Sequence, residues 1–123
     1  LLKNQSDLAL LRRYRNEILM NLNLGILYTR LLYESSEDAL EVLNQNPELL
    51  SRAADLIAAN LDAVSAVLDG GEGVIYNTDD IIAFLQDYAN NASGALRLLA
   101  KQVRRKIEQA LASGDLFLKF RLN

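Results

Sequence analysis

After Asn46-Pro47 the apolar residues Leu50, Ala54, Ile57, Leu61, Val64 and Leu68 recur at alternating steps of four and three. That spacing is the period of an α-helix with one narrow apolar side, and a strand, which alternates every second residue, cannot use it. Asn46 is a good N-cap and Pro47 suits the first helical position, so the start is marked as well as the interior. Glu48, Asp55, Asp62 and Asp69 recur every seven residues on another side, where they face water, and Gly70-Gly71 ends the segment. The pattern predicts one helix from 47 to 69.

The same period returns further on. Ile82, Leu85, Tyr88, Ala92, Leu96, Leu99, Val103, Ile107 and Ala110 form a stripe that opens at Thr78 as N-cap, with Asp79 and Asp80 against the positive end of the helix dipole. Gly114 fits a left-handed stop. A helix over 79–113 would be unusually long, so a break is expected at Asn90-Asn91-Ala92-Ser93-Gly94, where helix propensity is weakest. The first 45 residues predict two or three shorter helices. Ser6-Asp7 caps the first, whose face carries Leu8, Leu11, Tyr14, Ile18 and Leu22. Asn23 to Gly25 forms a corner, and Leu27, Tyr28, Leu31 and Leu32 line the second. Ser35-Ser36-Glu37-Asp38 starts a short helix through Leu43.

The tail changes period. Leu116, Leu118, Phe120 and Leu122 alternate with Lys119 and Arg121, which is strand-like, and the local partner is Val74-Ile75-Tyr76. A chain of 123 residues can bury about two-thirds of its unfolded surface, enough for one core. The expected fold is therefore all-α: residues 1–123 as a single-domain helical bundle of about four to six helices, with a short extended C-terminal tail over 115–123.

The chain has no His and no Cys. Disulfides, thiolate nucleophiles, Cys/His zinc sites and histidine-based acid–base mechanisms are excluded at once, and nothing calls for a metal or cofactor. No uncharged apolar run reaches the length of a membrane span. The opening Leu1-Leu2-Lys3-Asn4 lacks an initiator Met and a signal-peptide pattern, so the chain is expected to be excised from a longer protein. Composition leaves the compartment open. The net charge of −3 is strongly partitioned. Residues 1–33 hold five basic and two acidic side chains, 34–93 hold one and twelve, and 94–123 hold seven and two. Helices that complement one another side by side are the plain explanation; two binding faces of opposite sign are the other.

Asp69-Gly70-Gly71-Glu72-Gly73 lacks the alternating ligands of a calcium loop and the Lys-Ser/Thr of a phosphate loop, so it is taken as a connection. Glu37/Asp38 and Asp79/Asp80 sit where helix dipoles favour acids and diverge on a helix, which argues for capping over acid–base work. The serines have no histidine to activate them. Arg97, Lys101, Arg104 and Arg105, with Lys106 beside them, make a basic stripe that would suit a polyanion. Without interleaved aromatics, and with a sequence pI near 4.9, it argues against nucleic acid. Arg12, Arg13 and Arg15 around Tyr14 are taken in the same way. Asn4-Gln5-Ser6 and Asn91-Ala92-Ser93 match the glycosylation tripeptide.

Residues 10–50, about a third of the chain, contain Leu11-Arg12-Arg13-Tyr14-Arg15-Asn16, the Asn23-Leu24-Gly25 corner, Leu32-Tyr33-Glu34-Ser35-Ser36 and Asn46-Pro47-Glu48-Leu49-Leu50. This segment resembles the helical part of the CFI-box C-terminal domain found at the ends of some bacterial exported proteins. Asn16 stands where that family has Asp, Ile26 where it has Arg, and Ser36-Glu37 where it has Ser-Pro. The hallmark Cys-Phe-Ile-Ala-Thr-Ala box would lie upstream of Leu1. The resemblance implies a C-terminal accessory module outside the cytoplasm and supplies no catalytic residues.

Packing, capping and solvation thus account for every conspicuous side chain, and the expected function is a non-enzymatic structural or protein-interaction module. Its candidate surface is the tail, with Leu116, Leu118, Phe120 and Leu122 adding as a strand to a protein partner or to a homodimer copy. The alternative is a small-ligand sensor or carrier whose apolar pocket between helices takes polar tips from Tyr14, Tyr28, Tyr33 and Tyr88.

Overall fold

A computed structural model describes residues 5–123. Asn4 of the first glycosylation tripeptide lies outside the described residues. The order of elements is α1 (Gln5–Glu17), a single 3₁₀ turn η1 (Leu19–Asn21), α2 (Asn23–Glu34), α3 (Ser36–Asn44), α4 (Pro47–Ala59), α5 (Leu61–Leu68), β1 (Gly73–Ile75), α6 (Thr78–Asn91), α7 (Gly94–Ser113) and β2 (Phe120–Leu122). The domain is all-α, with one minor two-stranded sheet. No described helix is long and apolar enough to cross a membrane.

The helix expected over 47–69 is two helices. At Asn60 the backbone leaves helical geometry (φ −110°, ψ 6°) and its side-chain Nδ2 donates to the Leu56 carbonyl at 2.8 Å and to Asn77 Oδ1 at 3.0 Å. A side-chain amide that satisfies the last turn in this way competes with continuation of the backbone ladder. The direction change puts Ala63, Val64 and Val67 of α5 into the core, while Leu49 and Ala53 of α4 are buried elsewhere.

The break expected near Asn90–Gly94 is present: α6 ends at Asn91, extended residues Ala92 and Ser93 intervene, and α7 follows against α6 as a helical hairpin. Gly114 closes α7 in the left-handed conformation at φ 77°. The corner expected at Asn23–Gly25 lies earlier, in η1, and Gly25 falls in the first turn of α2. A Cβ on Gly25 would stand 2.4 Å from the Leu19 carbonyl oxygen, so this glycine serves the close approach of η1 to α2 rather than a turn. Ser6 lies inside α1, not ahead of it.

The core cluster joins Tyr14 of α1, Ala63, Val64 and Val67 of α5, and Phe120 of β2. β1 and β2 pair in parallel, Gly73 opposite Phe120, Val74 opposite Arg121 and Ile75 opposite Leu122. Thr78, expected as an N-cap, is instead fully buried as the first residue of α6, with Asn77 in the cap position. Its hydroxyl donates at 2.8 Å to the Asn123 carbonyl and ties the end of β2 to α6.

Candidate functional site

The tail is not an unpaired strand, since β2 pairs with β1 along one edge. Phe117 and Phe120 exchange both backbone hydrogen bonds at 2.9 Å around Leu118 and Lys119, which have φ of 51° and 73°. Positive φ at both central positions is the mark of a type I′ turn, a conformation that favours Gly and Asn. Tyr14 holds the turn: its hydroxyl donates to the Leu118 carbonyl at 2.6 Å and its ring lies 5.2 Å from that of Phe120. Phe120 is only 6% exposed, and Leu118 and Leu122 pack against the same cluster. Of the four tail residues expected to face a partner, Leu116 alone is exposed. This corrects the expected interaction surface, because three of its four apolar side chains are spent on this chain's own core.

The four tyrosines do not line one pocket. Tyr14 is committed to the tail, and Tyr88 donates to the Ala39 carbonyl at 3.1 Å, tying α6 to α3. Tyr28 is buried with its ring 6.4 Å from Phe117, and its hydroxyl has no hydrogen-bond partner among the described residues. Burial raises the pKa of all three. Tyr33 is on the surface, 61% exposed. The shared pocket is thereby corrected: Tyr14 and Tyr28 pack on the Phe117–Phe120 turn, Tyr88 bridges α6 and α3, and Tyr33 lies apart on the surface.

The basic stripe of α7 divides likewise. Arg97 Nε donates to the Ala89 and Ala92 carbonyls at 3.1 and 3.0 Å and so caps the end of α6. Arg104 Nε is 3.2 Å from Glu108, close enough for an ion pair although not aligned for a hydrogen bond. Lys101 and Arg105 are exposed and make no ion pair among the described residues. The acidic middle meets the basic C-terminal segment at Arg121 and Glu72, across the two strands. The other link in that region, Arg52 to Asp87 at 2.7 Å, joins α4 to α6 within the acidic segment itself. Glu37 and Asp38 lie in the first turn of α3, and Asp79 and Asp80 in that of α6. Among the described residues no group of three or more carboxylates is placed to hold a metal ion.

Polar and exposed apolar groups converge in a groove of about 320 Å³ between the end of α1, η1 and α2. Met20 and Ile26 give it apolar walls, and Arg15, Asn16, Thr29, Arg30 and Tyr33 complete it. Arg15 is held in place by two neighbours, Asn16 and Tyr33. Its Nε donates to Asn16 Oδ1 at 3.1 Å, its Nη1 donates to the Tyr33 hydroxyl, and its guanidinium lies over the Tyr33 ring at 5.7 Å from the centroid. Neither Arg15 nor Arg30 has a carboxylate within ion-pair distance among the described residues. The groove therefore carries two guanidinium groups, one preorganised, with no acid lining it. Ile26, Thr29, Arg30 and Tyr33 follow helical spacing on one side of α2, and that was the signal available in the sequence.

No family model, curated protein or solved structure matches the chain.

Proposed function

We propose that this chain is a non-enzymatic helical module that binds a protein partner through the groove between α1, η1 and α2. The observation that carries it is the pairing of an oriented, uncompensated arginine with exposed Met20 and Tyr33. Aromatic residues, Met and Arg are enriched at protein interfaces, and a guanidinium held in one geometry loses little freedom on binding a carboxylate. The resemblance of residues 10–50 to the CFI-box C-terminal domain points the same way, toward an accessory module of a larger bacterial protein outside the cytoplasm. The test is a titration of isotope-labelled protein with an acidic amphipathic helical peptide. The amides of Arg15, Asn16, Ile26, Thr29, Arg30 and Tyr33 are expected to shift together; a uniform absence of shifts there refutes the proposal.

The volume of the groove supports a second use, as a seat for a small apolar carboxylate, since about 300 Å³ is the lower end for ligand sites. A thermal shift with medium-chain carboxylates, lost in Arg15→Ala, would favour the carrier over the protein-binding module.

A further inference from the structure

Half of the large apolar side chains that stand exposed among the described residues fall between Met20 and Leu40. They belong to η1, α2 and α3, which follow one another in sequence and pack on one another. α3 has no buried residue. Its Glu37, Leu40 and Glu41 share one side at helical spacing, Leu40 is 53% exposed, and neither carboxylate meets a cation among the described residues. The groove beside it has the opposite make-up, apolar walls with two arginines and no acid.

We infer that the occupant of the groove is α3 of a second copy of this chain, with Leu40 entering between Met20 and Ile26 and the carboxylates of Glu37 and Glu41 meeting Arg15 and Arg30. This rests on the protein-binding reading of the groove and adds the partner. Charge complementarity selects it: the segment 1–33, which supplies both arginines, is net basic, and the segment beginning at Glu34 is the acidic one. Within one chain α3 is held against α4, and against α6 by the Tyr88 hydroxyl; Glu41 Oε1 accepts from Gln45 Nε2 at 2.7 Å, and no cation among the described residues meets the acidic side of α3. α2 runs into α3 through Ser35, which places the giving and receiving surfaces side by side on each copy. A two-fold axis beside Ser35 lets each copy give and receive, and such an assembly closes as a dimer instead of growing into a filament.

The experiment is sedimentation of the purified chain across a wide concentration range, at low and high salt. A monomer–dimer equilibrium is expected, weakened by salt because rim charges are screened. A groove variant (R15E/R30E) and a helix variant (E37R/E41R) are each expected to raise the dimer Kd by about tenfold or more. An equimolar mixture of the two is expected to restore a heterodimer to within about threefold of the wild-type Kd, because both contacts become complementary again. Should R15E/R30E fail to fold by circular dichroism, the single reversals R30E, at an exposed position, and E41R carry the same comparison, with a smaller loss and the same mutual rescue. A dimer indifferent to these reversals, or two weakened variants that do not rescue each other, overturns the inference. A monomer at every concentration also overturns it, and the peptide titration then separates the two claims. If the acidic peptide still shifts the groove amides, the module reading stands with a different partner; if it does not, both fall.

Discussion

Gly73 is one of the tightest points of the fold, closed in by side chain and backbone alike, and replacing it with alanine tests how β1 is seated. A Cβ there would lie 2.5 Å from Val67 Cγ2, 2.6 Å from the Ala63 carbonyl oxygen and 2.9 Å from Phe120 Cδ1. Non-bonded carbons rest at about 3.5–4.0 Å, so the first contact is about an ångström too short. Val67 is buried and has little room to turn, and the Ala63 oxygen belongs to the backbone of α5 and cannot move alone. β1 must then withdraw, and Phe120, opposite Gly73 in the ladder, withdraws with it or loses its partner. Overpacking of this kind costs about 1–3 kcal/mol, and alanine recovers only about 0.4–1 kcal/mol by restricting the unfolded chain. With backbone as well as side chain in the way, a net loss of about 2 kcal/mol is expected. At roughly 2.1 cal/mol/K of unfolding entropy per residue, that lowers Tm by about 8 °C. Urea unfolding followed by far-ultraviolet circular dichroism measures it, with a lower midpoint at unchanged slope. Gly71→Ala is the control: it is exposed in the loop just before β1, and its Cβ would meet only the Ala66 carbonyl, at 3.2 Å. Equal midpoints for the two variants, or a Gly73→Ala loss below about 0.5 kcal/mol, would refute the account of how β1 packs.

Three further outcomes follow from the tail and the tyrosines. Tyr14→Phe removes the donor to the Leu118 carbonyl and is expected to cost about 1 kcal/mol in the same urea assay, with an unchanged midpoint counting against the hydrogen bond. Lys119→Gly is expected to stabilise by roughly 0.5–1 kcal/mol, because an exposed side chain held at positive φ is relieved of its Cβ contact; destabilisation would show that the turn is not type I′. Burial raises the folded-state pKa of Tyr14, Tyr28 and Tyr88, so their contribution to stability is complete below the unfolded value, about pH 10, and is lost as pH climbs through the folded values. Alkaline titration of tyrosinate absorbance should therefore show a class of tyrosines that ionises together with the loss of helical ellipticity; a single non-cooperative titration of all five would contradict it.

Much of the helical layout was legible because packing uses the same periodicity that the sequence displays. Of the stripe from Leu96 to Ala110, Leu96, Leu99, Ile107 and Ala110 are buried as read and Val103 is half-buried, the hairpin break falls between Asn91 and Gly94, and the alternation of the tail found its partner at Val74 and Ile75. What the sequence hid were residues with two physical uses. Asn60 suits a helix interior poorly but does not forbid it, and only its bonds to Leu56 and Asn77 make it a boundary. Gly25 looked like a corner since glycine serves turns and close approaches alike. Arg97 looked like surface charge and caps a helix eight residues earlier in the chain. The turn at Leu118-Lys119 has no local signature, because tertiary contacts from Tyr14 and the core impose it. Of the candidate site, Arg15 and Tyr33 were singled out separately, and their union with Met20, Ile26 and Arg30 depends on the angle that η1 sets between α1 and α2.

The parallel pairing of β1 with β2 has a kinetic consequence. The two strands are separated in the chain by residues 76–119, and three ladder positions repay little of the entropy of closing so long a loop. The helical hairpin of α6 and α7 fills most of that loop and is built from local contacts, so its formation shortens the effective search before the strands can meet. The sheet is then the last part to assemble and the first to part. Substitutions in β2 should act mainly by hastening unfolding, and the lifetime of the native state should be set at this seam rather than in the helices.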